Sequence, residues 1–353
     1  MNFTYKSFPG QVHFGAGKLK ELPHLLKNYL SDPNDKVLVL AEARVQPQVD
    51  ALVEALGRES VHHFDKVIQH VPQTLVAEAL TVANHLQPKV MLSIGGGSSV
   101  GLAKALALEN RLPIIAVPTT FAGSEQTNIW GISNETGKTT GRNDVVLPQV
   151  VIYDPALTQT MPQRLAVMSA MNAMAHLMEA VYSPTGNPVT RNQALLGMQT
   201  LKSGLENIAQ QKSFTPAANE QILFGAYLAG RALCEVTMAL HHKAAHVLGG
   251  SFGMQHAEVH TVLQTYVLAY QWPHLSAEVQ QDFVKVWGEN PPLGLKNLAA
   301  NAGAPTTLEE IGFDQADIGK AVRIMLANPY PNPAPLVESQ LLVMLEKAFE
   351  GRV

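Results

Sequence analysis

The stretch Lys89-Val-Met-Leu-Ser-Ile-Gly95-Gly-Gly-Ser-Ser99 decides the class of fold. Its first six residues are mostly apolar and predict a buried parallel strand, and a helical pattern follows through Leu108. Glycines between a strand and a helix leave backbone N–H groups with no Cβ beside them, so a phosphate can approach the helix N-terminus. We therefore expect a dinucleotide or phosphate cradle at Gly96, Gly97 and Ser98, with a plain tight turn as the alternative.

The same alternation of short β-branched runs and longer helical patterns continues to about residue 150. Residues 36–41, 112–117 and 150–153 predict further strands, and residues 47–56 predict a helix after the first of them. Beyond residue 155 helical periodicity occupies most of the chain. The sequence thus predicts a Rossmann-like α/β domain with a parallel sheet over residues 1–155, which binds a dinucleotide, followed by an all-α substrate and catalytic domain over residues 156–353.

Further cofactor contacts are expected at the carboxyl edge of this sheet. Glu42 directly follows the strand at 36–41, where a carboxylate can accept hydrogen bonds from an adenosine ribose and repel a 2′-phosphate. This position favours NADH and leaves NADPH possible, and a solvated surface carboxylate is its alternative interpretation. The segment that begins with Pro118-Thr-Thr supplies the other candidates, which are Thr119, Thr120, Ser124, Thr127 and Lys138.

Composition excludes several classes of protein. The chain has 353 residues, 46% of them hydrophobic, so two packed domains can each bury a core. A net charge of −4 argues against nucleic acid as a partner. The single cysteine, Cys234, rules out an internal disulfide and suits a reducing cytoplasm, and residues 1–6 lack the pattern of a secretion signal. The most apolar segment, residues 165–181, includes polar residues and predicts a buried helix, so no membrane contact is expected.

The segment Ser169-Ala-Met-Asn172-Ala-Met-Ala-His176-Leu-Met-Glu179 has the pattern of a metal-binding helix with one ligand altered. Positions four apart share a helix face, so Asn172 and His176 converge, with Glu179 one turn further along. An Asp at position 172 would supply an anionic ligand, whereas the neutral amide of Asn is a poor partner for a divalent transition metal. Methionines at helical spacing in the same segment indicate core packing: Met168, Met171, Met174 and Met178.

A second cluster lies between Leu240 and His260. Five of the 13 histidines of the chain fall within it: His241, His242, His246, His256 and His260. His242 and His246 repeat the four-residue spacing, and Lys243 adds a cation beside them. A single histidine would most simply be structural, but five together favour a functional site. They are grouped around Gly249-Gly250, where we expect a helix break.

Taken in order, these motifs resemble the iron-containing alcohol dehydrogenase superfamily over essentially the whole chain. The shared order is Gly-Gly-Gly-Ser, Pro-Thr-Thr, a helix reading x-Ala-x-x-His-x-x-Glu, then His-x-x-x-His-x-Leu-Gly-Gly and a later His-Ala. The resemblance implies a dehydroquinate synthase-like architecture, with an α/β domain followed by a helical one. More narrowly, the chain is similar to maleylacetate reductases through Gly96-Gly-Ser-Ser-Val-Gly-Leu-Ala-Lys104, Trp130-Gly131, Lys138-Thr-Thr-Gly-Arg142, Met171-Asn-Ala173 and His241-His-Lys243.

In metal-dependent members of the superfamily one Asp and three His hold the ion. The resemblance places Asn172, His176, His242 and His256 at those positions, and because the anionic ligand is replaced we expect no metal. Gly101, where the wider superfamily tends to carry Asp, also indicates the narrower resemblance to maleylacetate reductases. The catalytic residues that the resemblance implies are His242, His246, His176, His256 and Lys243, together with Asn172.

The resemblance implies that hydride passes from a reduced nicotinamide to the carbon–carbon double bond of maleylacetate, giving 3-oxoadipate in the breakdown of aromatic compounds. Hydride added β to a conjugated ketone places charge on the carbonyl oxygen as an enolate, which fixed His or Lys donors can stabilise. The substrate is a small dicarboxylate, so we expect a cationic contact from Lys243. Lys138 and Arg142 are further candidates, with a solvated basic loop as the alternative. A homodimer is also expected.

Two other functions stay open from the residues alone. One is a metal-dependent alcohol or polyol dehydrogenase of the same architecture, in which Asn172 accepts a weaker ion. The other is a non-redox function on this scaffold, either that of a cyclase-type lyase or that of a binding protein. The retained histidine cluster argues against a protein that has lost catalysis.

Overall fold

The computed structural model describes residues 3–8, 10–135 and 137–353. Met1 and Asn2, part of the segment expected to lack a secretion signal, lie outside the described residues. The chain forms two compact units, one over Ser7–Thr160 and one over Met161–Val353 together with residues 3–6. The boundary predicted at 155/156 falls at the start of the short helix Pro155–Thr158, which belongs to the first unit.

The first unit alternates strands with helices. Its strands are β1 (Gln11–Phe14), β2 (Val37–Ala41), β3 (Val61–Phe64), β4 (Val90–Gly95), β5 (Ile114–Pro118), β6 (Ile129–Asn134), β7 (Gly137–Arg142) and β8 (Val150–Tyr153). Its helices are α1 (Leu22–Lys27), α2 (Gln46–Leu56), α3 (Gln73–Leu86), α4 (Gly97–Asn110) and α5 (Pro155–Thr158).

The second unit is built from helices in its described residues. They are α6 (Gln163–Tyr182), α7 (Pro188–Gln211), α8 (Pro216–Glu235), α9 (Leu240–Phe252), α10 (His256–Gln271), α11 (Ala277–Trp287), α12 (Pro291–Asn301), α13 (Ile318–Leu326) and α14 (Glu338–Glu350). No single helix in the described ranges is long and apolar enough to cross a membrane, and one bent pair, α8 with α9, passes by length and composition only.

Six strands of the first unit form a parallel sheet in the order β1-β8-β5-β4-β2-β3. Helices cover both of its faces, which is why β2, β4 and β5 are buried along their whole length. Successive β2 residues point to opposite faces: Val37 and Val39 pack with α1 and α2, whereas Leu38 and Leu40 pack with α3 and α4. The predicted α/β class with a parallel sheet is confirmed.

The strand order creates a topological switch point at β2 and β4. β3 pairs with one edge of β2 and β4 pairs with the other. The connection after β2 therefore runs to one side of the sheet, and the connection after β3 returns to the other side. In open α/β sheets ligands bind in the crevice outside the carboxyl ends of such strands. Ala41 pairs with Ile94, which places the residues that follow, Glu42 and Gly95, at the same edge.

The helices of the second unit correct one expectation and confirm another. Met168, Met171, Met174 and Met178 are each at most 4% exposed, which confirms core packing along α6. The helix break expected at Gly249-Gly250 is wrong. α9 continues through both glycines to Phe252 and ends at Gly253, whose φ is +67°. Each glycine costs a helix about 1 kcal/mol relative to alanine. The burial of neighbouring apolar side chains of α9, such as Leu248, offsets that loss.

Candidate functional site

The triglycine turn is the first candidate site. α4 begins at Gly97, and Gly95 before it has a φ of +154°. A Cβ built on Gly95 would lie 2.2 Å from Ser99 Oγ, and one built on Gly96 would lie 3.0 Å from Thr120 Cγ2. A larger residue would therefore strain the turn at Gly95 and press on Thr120 at Gly96. Glycine keeps the first N–H groups of α4 accessible to an anionic ligand.

Two hydroxyl groups at this turn lack hydrogen-bond partners. Thr119 Oγ1 and Ser124 Oγ are both buried and unpaired. A Cβ built on Gly97 would lie 3.8 Å from Ser124 Oγ, so this hydroxyl is close to the start of α4. Ser98 and Thr120, at the same turn, are half-buried. Buried polar atoms are nearly always hydrogen-bonded, and a ligand can supply the missing partner. The accessible N–H groups of the turn and these unpaired hydroxyls together fit the phosphates of a dinucleotide.

Two other predicted cofactor residues have partners of their own. Glu42 follows β2, and its Oε2 accepts a hydrogen bond of 2.6 Å from Arg44 Nε, with 45% of the Glu42 side chain exposed. The carboxylate is thus accessible at the carboxyl edge of the sheet. Thr127 Oγ1 accepts from Lys104 Nζ at 2.9 Å and donates to the Ser124 carbonyl at 3.1 Å. Its hydroxyl is therefore used inside its own loop.

Lys138 and Arg142 lie on β7 of the antiparallel hairpin β6–β7. The Lys138 side chain is exposed and crosses Gly131, where a Cβ would lie 2.7 Å from Lys138 Cε. Arg142 donates a hydrogen bond of 3.1 Å to Asn128 Oδ1. The hairpin thus holds both cations on the first unit, with Arg142 tied to its neighbouring loop.

The second candidate site is a cluster of imidazoles on α6, α9 and α10. The rings of His176 and His242 are stacked with centroids 4.8 Å apart, and the ring of His260 lies 4.9 Å from that of His242. His256 lies 4.3 Å from His260 and 6.0 Å from His246. The described residues thus bring together the rings of His176, His241, His242, His246, His256 and His260.

Glu179 anchors this cluster from within the core. Its Oε2 accepts hydrogen bonds from His242 Nδ1 at 2.5 Å and from the Ala239 N–H at 3.1 Å, and its Oε1 accepts from the His241 N–H at 2.8 Å. A carboxylate can only accept, so His242 carries a hydrogen on Nδ1. His242 Nε2 is buried and has no hydrogen-bond partner in the structure.

Burial sets the charge state of the cluster. It lowers the pKa of His241 to about 3, and burial together with the neighbouring imidazoles holds the pKa values of His176 and His260 well below the ordinary value. Burial alone would raise the pKa of Glu179, but His242 and the N–H donors around it keep that pKa below its ordinary value. At neutral pH the ionised carboxylate of Glu179 is therefore grouped with the neutral imidazoles of His176, His241 and His260.

The remaining predicted residues lie at the edge of the cluster. Asn172 on α6 is half-buried, and its Oδ1 is buried without a partner. His246 and His256 are exposed. Lys243 is half-buried, and its Nζ lies 5.8 Å from the centroid of the Tyr330 ring. The second unit thus collects the six predicted catalytic residues on α6, α9 and the start of α10.

Three residues of this site were absent from the predicted catalytic set: Glu179, His241 and His260. His241 Nε2 and His260 Nδ1 lie 2.8 Å apart, and both side chains are fully buried. The four-residue spacing of His256 and His260 was the available signal for one of them. Glu179 follows His176 by three residues, which places both on one helix face.

Comparison with known families follows the same division of the chain. The family model for iron-containing alcohol dehydrogenase matches residues 9–155, and the model for the C-terminal part of the Fe-containing alcohol dehydrogenase family matches residues 166–349. The chain therefore belongs to the iron-containing alcohol dehydrogenase family, a family of nicotinamide-dependent oxidoreductases.

Within this family the chain is similar to maleylacetate reductases. Those of Sphingobium indicum and Burkholderia cepacia are 39% and 38% identical to it, and each match covers 99% of this chain and 98% of the relative. The crystal structure of maleylacetate reductase from Rhizobium sp. strain MTP-10005 has a TM-score of 0.93 at 34% identity, with 99% of each chain covered. The expected family resemblance and architecture are confirmed.

The family name raises the question whether these residues fit iron. At the matching positions the donors are three imidazoles and the neutral amide of Asn172, and no anionic oxygen is among them. Glu179, the carboxylate beside His242, is already engaged by three donors. No group of three or more His, Cys, Asp or Glu side chains within the described ranges is placed to hold a metal ion. Iron sites with imidazole ligands usually include a carboxylate, so this donor set fits iron poorly.

Proposed function

We propose that this protein reduces the carbon–carbon double bond of maleylacetate to give 3-oxoadipate, with NADH as the hydride donor. The observation that carries the proposal is the similarity of 99% of the chain to proteins named maleylacetate reductase. The imidazole cluster on α6, α9 and α10 supports it, because the reaction needs hydrogen-bond donors where an enolate oxygen develops.

The first unit binds the cofactor in this proposal. The N–H groups of Gly96 and Gly97 and the unpaired hydroxyl of Ser124 bind the diphosphate, since all three belong to the start of α4 or face it. The Glu42 carboxylate accepts from the adenosine ribose and disfavours a 2′-phosphate by repulsion. When bound, the reduced nicotinamide supplies the hydride.

The second unit acts on the substrate. Glu179 accepts from Nδ1–H of His242 and thereby orients the ring, and in the reactive complex Nε2 also carries a hydrogen, which it donates to the carbonyl oxygen of the substrate. An enolate is less basic than the alkoxide formed from an isolated ketone, so such donors stabilise it without a Lewis acid. Lys243, a half-buried cation next to His242 in sequence, binds a substrate carboxylate.

Turnover without metal is part of the proposal, since Asn172 replaces the anionic ligand. We expect exhaustive chelation to leave the activity unchanged. Loss of turnover with EDTA that Fe²⁺ or Zn²⁺ restores would instead assign a metal-dependent dehydrogenase. Metal analysis of protein purified without chelator gives a second, independent measurement.

The substrate is tested by anaerobic NADH oxidation with maleylacetate beside simple ketones and aldehydes. A site that uses Lys243 to bind a carboxylate should favour maleylacetate in kcat/KM by about 10³-fold or more over a substrate that lacks a carboxylate. Comparable turnover of the simple carbonyl compounds, or none of maleylacetate, would overturn the proposal.

A homodimer and a cytoplasmic location belong to the same proposal. Sedimentation velocity at assay concentration tests the first, and a monomer that turns over at the full rate would contradict it. Fractionation of the source cells tests the second, and activity found outside the cytoplasmic fraction would contradict it.

A further inference from the structure

Lys104 is a buried lysine in the first unit whose ammonium group lies inside a loop. The side chain is 1% exposed, and it extends from α4 toward the segment between Ser124 and Ile129. Its Nζ donates to the carbonyl oxygens of Ser124 and Thr127, both at 2.6 Å, to the carbonyl oxygen of Ile129 at 2.9 Å, and to Thr127 Oγ1 at 2.9 Å. An ammonium has three hydrogens, so these acceptors saturate it.

These contacts determine the shape of the loop. Three carbonyl groups within six residues point inward at one cation, an arrangement that an apolar side chain at position 104 could not maintain. Burying an ammonium is unfavourable unless its hydrogens are all accepted, so cation and loop each require the other. Glu125 in the same loop is also buried, where its Oε1 accepts from the Tyr153 hydroxyl at 2.7 Å.

The same loop presents a free hydroxyl to the start of α4. Ser124 Oγ is buried and has no partner, and it lies 3.8 Å from the position that a Cβ on Gly97 would occupy. The carbonyl oxygen of this residue is one of the acceptors of Lys104. Lys104 therefore holds the backbone of Ser124 from one side while the Ser124 hydroxyl remains available to a ligand on α4.

We propose that Lys104 is the positioning residue for the cofactor diphosphate: by holding the loop Ser124–Ile129, it fixes Ser124 Oγ beside the N–H groups of Gly96 and Gly97. Lys104 itself contacts no ligand. The inference rests on the nicotinamide cofactor of the proposed function and not on its substrate. It predicts that Lys104 controls the affinity for the diphosphate but not the hydride-transfer step.

The test is calorimetric titration with ADP-ribose, which contains the diphosphate and lacks the nicotinamide, and with NADH. We expect Lys104→Met, which keeps the length of the side chain and removes the ammonium, to weaken binding of both ligands about tenfold or more. The KM for NADH should rise in parallel, while kcat at saturating NADH stays within about threefold of the wild type. Lys89→Met, which removes a 57% exposed lysine of the same unit, is the matched control and should bind as the wild type does.

A double-mutant cycle separates positioning from a general effect on stability. Ser124→Ala should weaken ADP-ribose binding about tenfold in the wild type and less than about twofold in Lys104→Met, because the hydroxyl is already misplaced there. Additive losses, or a folded Lys104→Met variant with the wild-type Kd, would overturn the proposal. If Lys104→Met does not fold, Thr127→Val replaces it in the cycle, since it removes one acceptor of the ammonium while keeping the side-chain shape.

Failure of this inference is distinguishable from failure of the proposed function. ADP-ribose binding does not depend on which compound the enzyme reduces. Wild-type protein that binds ADP-ribose, shows the non-additive cycle and does not reduce maleylacetate would refute the substrate and leave the role of Lys104 standing.

Discussion

Glu179→Gln tests the centre of the histidine cluster. The carboxylate accepts three hydrogen bonds in a fully buried position, from Ala239 N–H, His241 N–H and His242 Nδ1. Glutamine keeps one acceptor oxygen and places an NH₂ group where the other oxygen was. His241 N–H retains its acceptor, but the NH₂ group faces two donors. His242 can respond by losing its Nδ1 hydrogen and accepting from the NH₂ group at that nitrogen, whereas the Ala239 N–H is left without an acceptor.

The structure sets the size of the stability loss. A buried N–H without a partner costs about 1–3 kcal/mol, and replacing charge-assisted bonds by neutral ones costs about 1 kcal/mol more. Removing the buried charge itself offsets part of this, because a carboxylate in the core is unfavourably desolvated. We expect the free energy of unfolding of the helical unit to fall by about 2–4 kcal/mol, measured by urea denaturation followed by circular dichroism.

The effect on catalysis distinguishes a role in the reaction from a role in folding. Without the carboxylate, His242 loses the partner that supports a hydrogen on both ring nitrogens, and its Nε2–H becomes a weaker donor to the enolate oxygen. We expect kcat to fall by about 10²–10³-fold, the range for one preorganised donor to an oxyanion, with the KM for NADH unchanged.

Glu235→Gln is the matched control for Glu179→Gln. The Glu235 carboxylate is 2% exposed in the same unit and accepts from Tyr5, Thr190 and Arg231, none of which belongs to the histidine cluster. It should lose a similar amount of stability and keep the wild-type kcat. A folded Glu179→Gln variant with near-normal kcat, or an equal loss of kcat in both variants, would refute the reasoning.

Three further predictions concern the cofactor, the substrate and pH. Glu42→Ala should narrow the NADH over NADPH preference in kcat/KM by removing repulsion of the 2′-phosphate, and an unchanged ratio would place Glu42 away from the ribose. Lys243→Ala should raise the KM for the dicarboxylate with little change in kcat, and the opposite pattern would give Lys243 a part in the chemical step. Burial lowers the pKa of His241 from 6.5 to about 3, so below pH 6.5 the unfolded chain binds a proton that the native protein does not. The free energy of unfolding should therefore fall as the pH drops from 6.5 toward 3, by up to about 1.4 kcal/mol per pH unit from this group. His241→Asn should reduce that slope between pH 7 and 5 in urea titrations, and an unchanged slope would contradict the neutral, buried state of His241.

The core of the α/β unit was predictable from the sequence because its strands are buried on both faces. β2, β4 and β5 are buried throughout and apolar except for Ser93, and such runs differ clearly from the helices between them. β1, β3 and the hairpin β6–β7 were not predicted. These strands are short, half-buried or exposed, and carry polar residues, so neither an apolar run nor a clean alternation identifies them.

The sequence by itself determined the triglycine turn and the position of Asn172 and His176 on one face of α6. Glycine at a strand–helix junction and a four-residue spacing on a helix are local features, since each follows from backbone geometry over one turn. The replacement of an anionic ligand by Asn172 is equally local, because it depends on the residue type alone.

Only the tertiary structure decided which groups hold these residues in place. Glu179 on α6 reaches the N–H groups and imidazole at the start of α9, roughly 60 residues later in the chain, and His241 meets His260 because α9 packs beside α10. Lys104 in the same way binds carbonyl groups of a loop 20 to 25 residues away. Helical and strand periodicities record which face of an element is buried, but not which element covers that face. Contacts between distant residues depend on that packing, and spacing in the sequence therefore does not encode them.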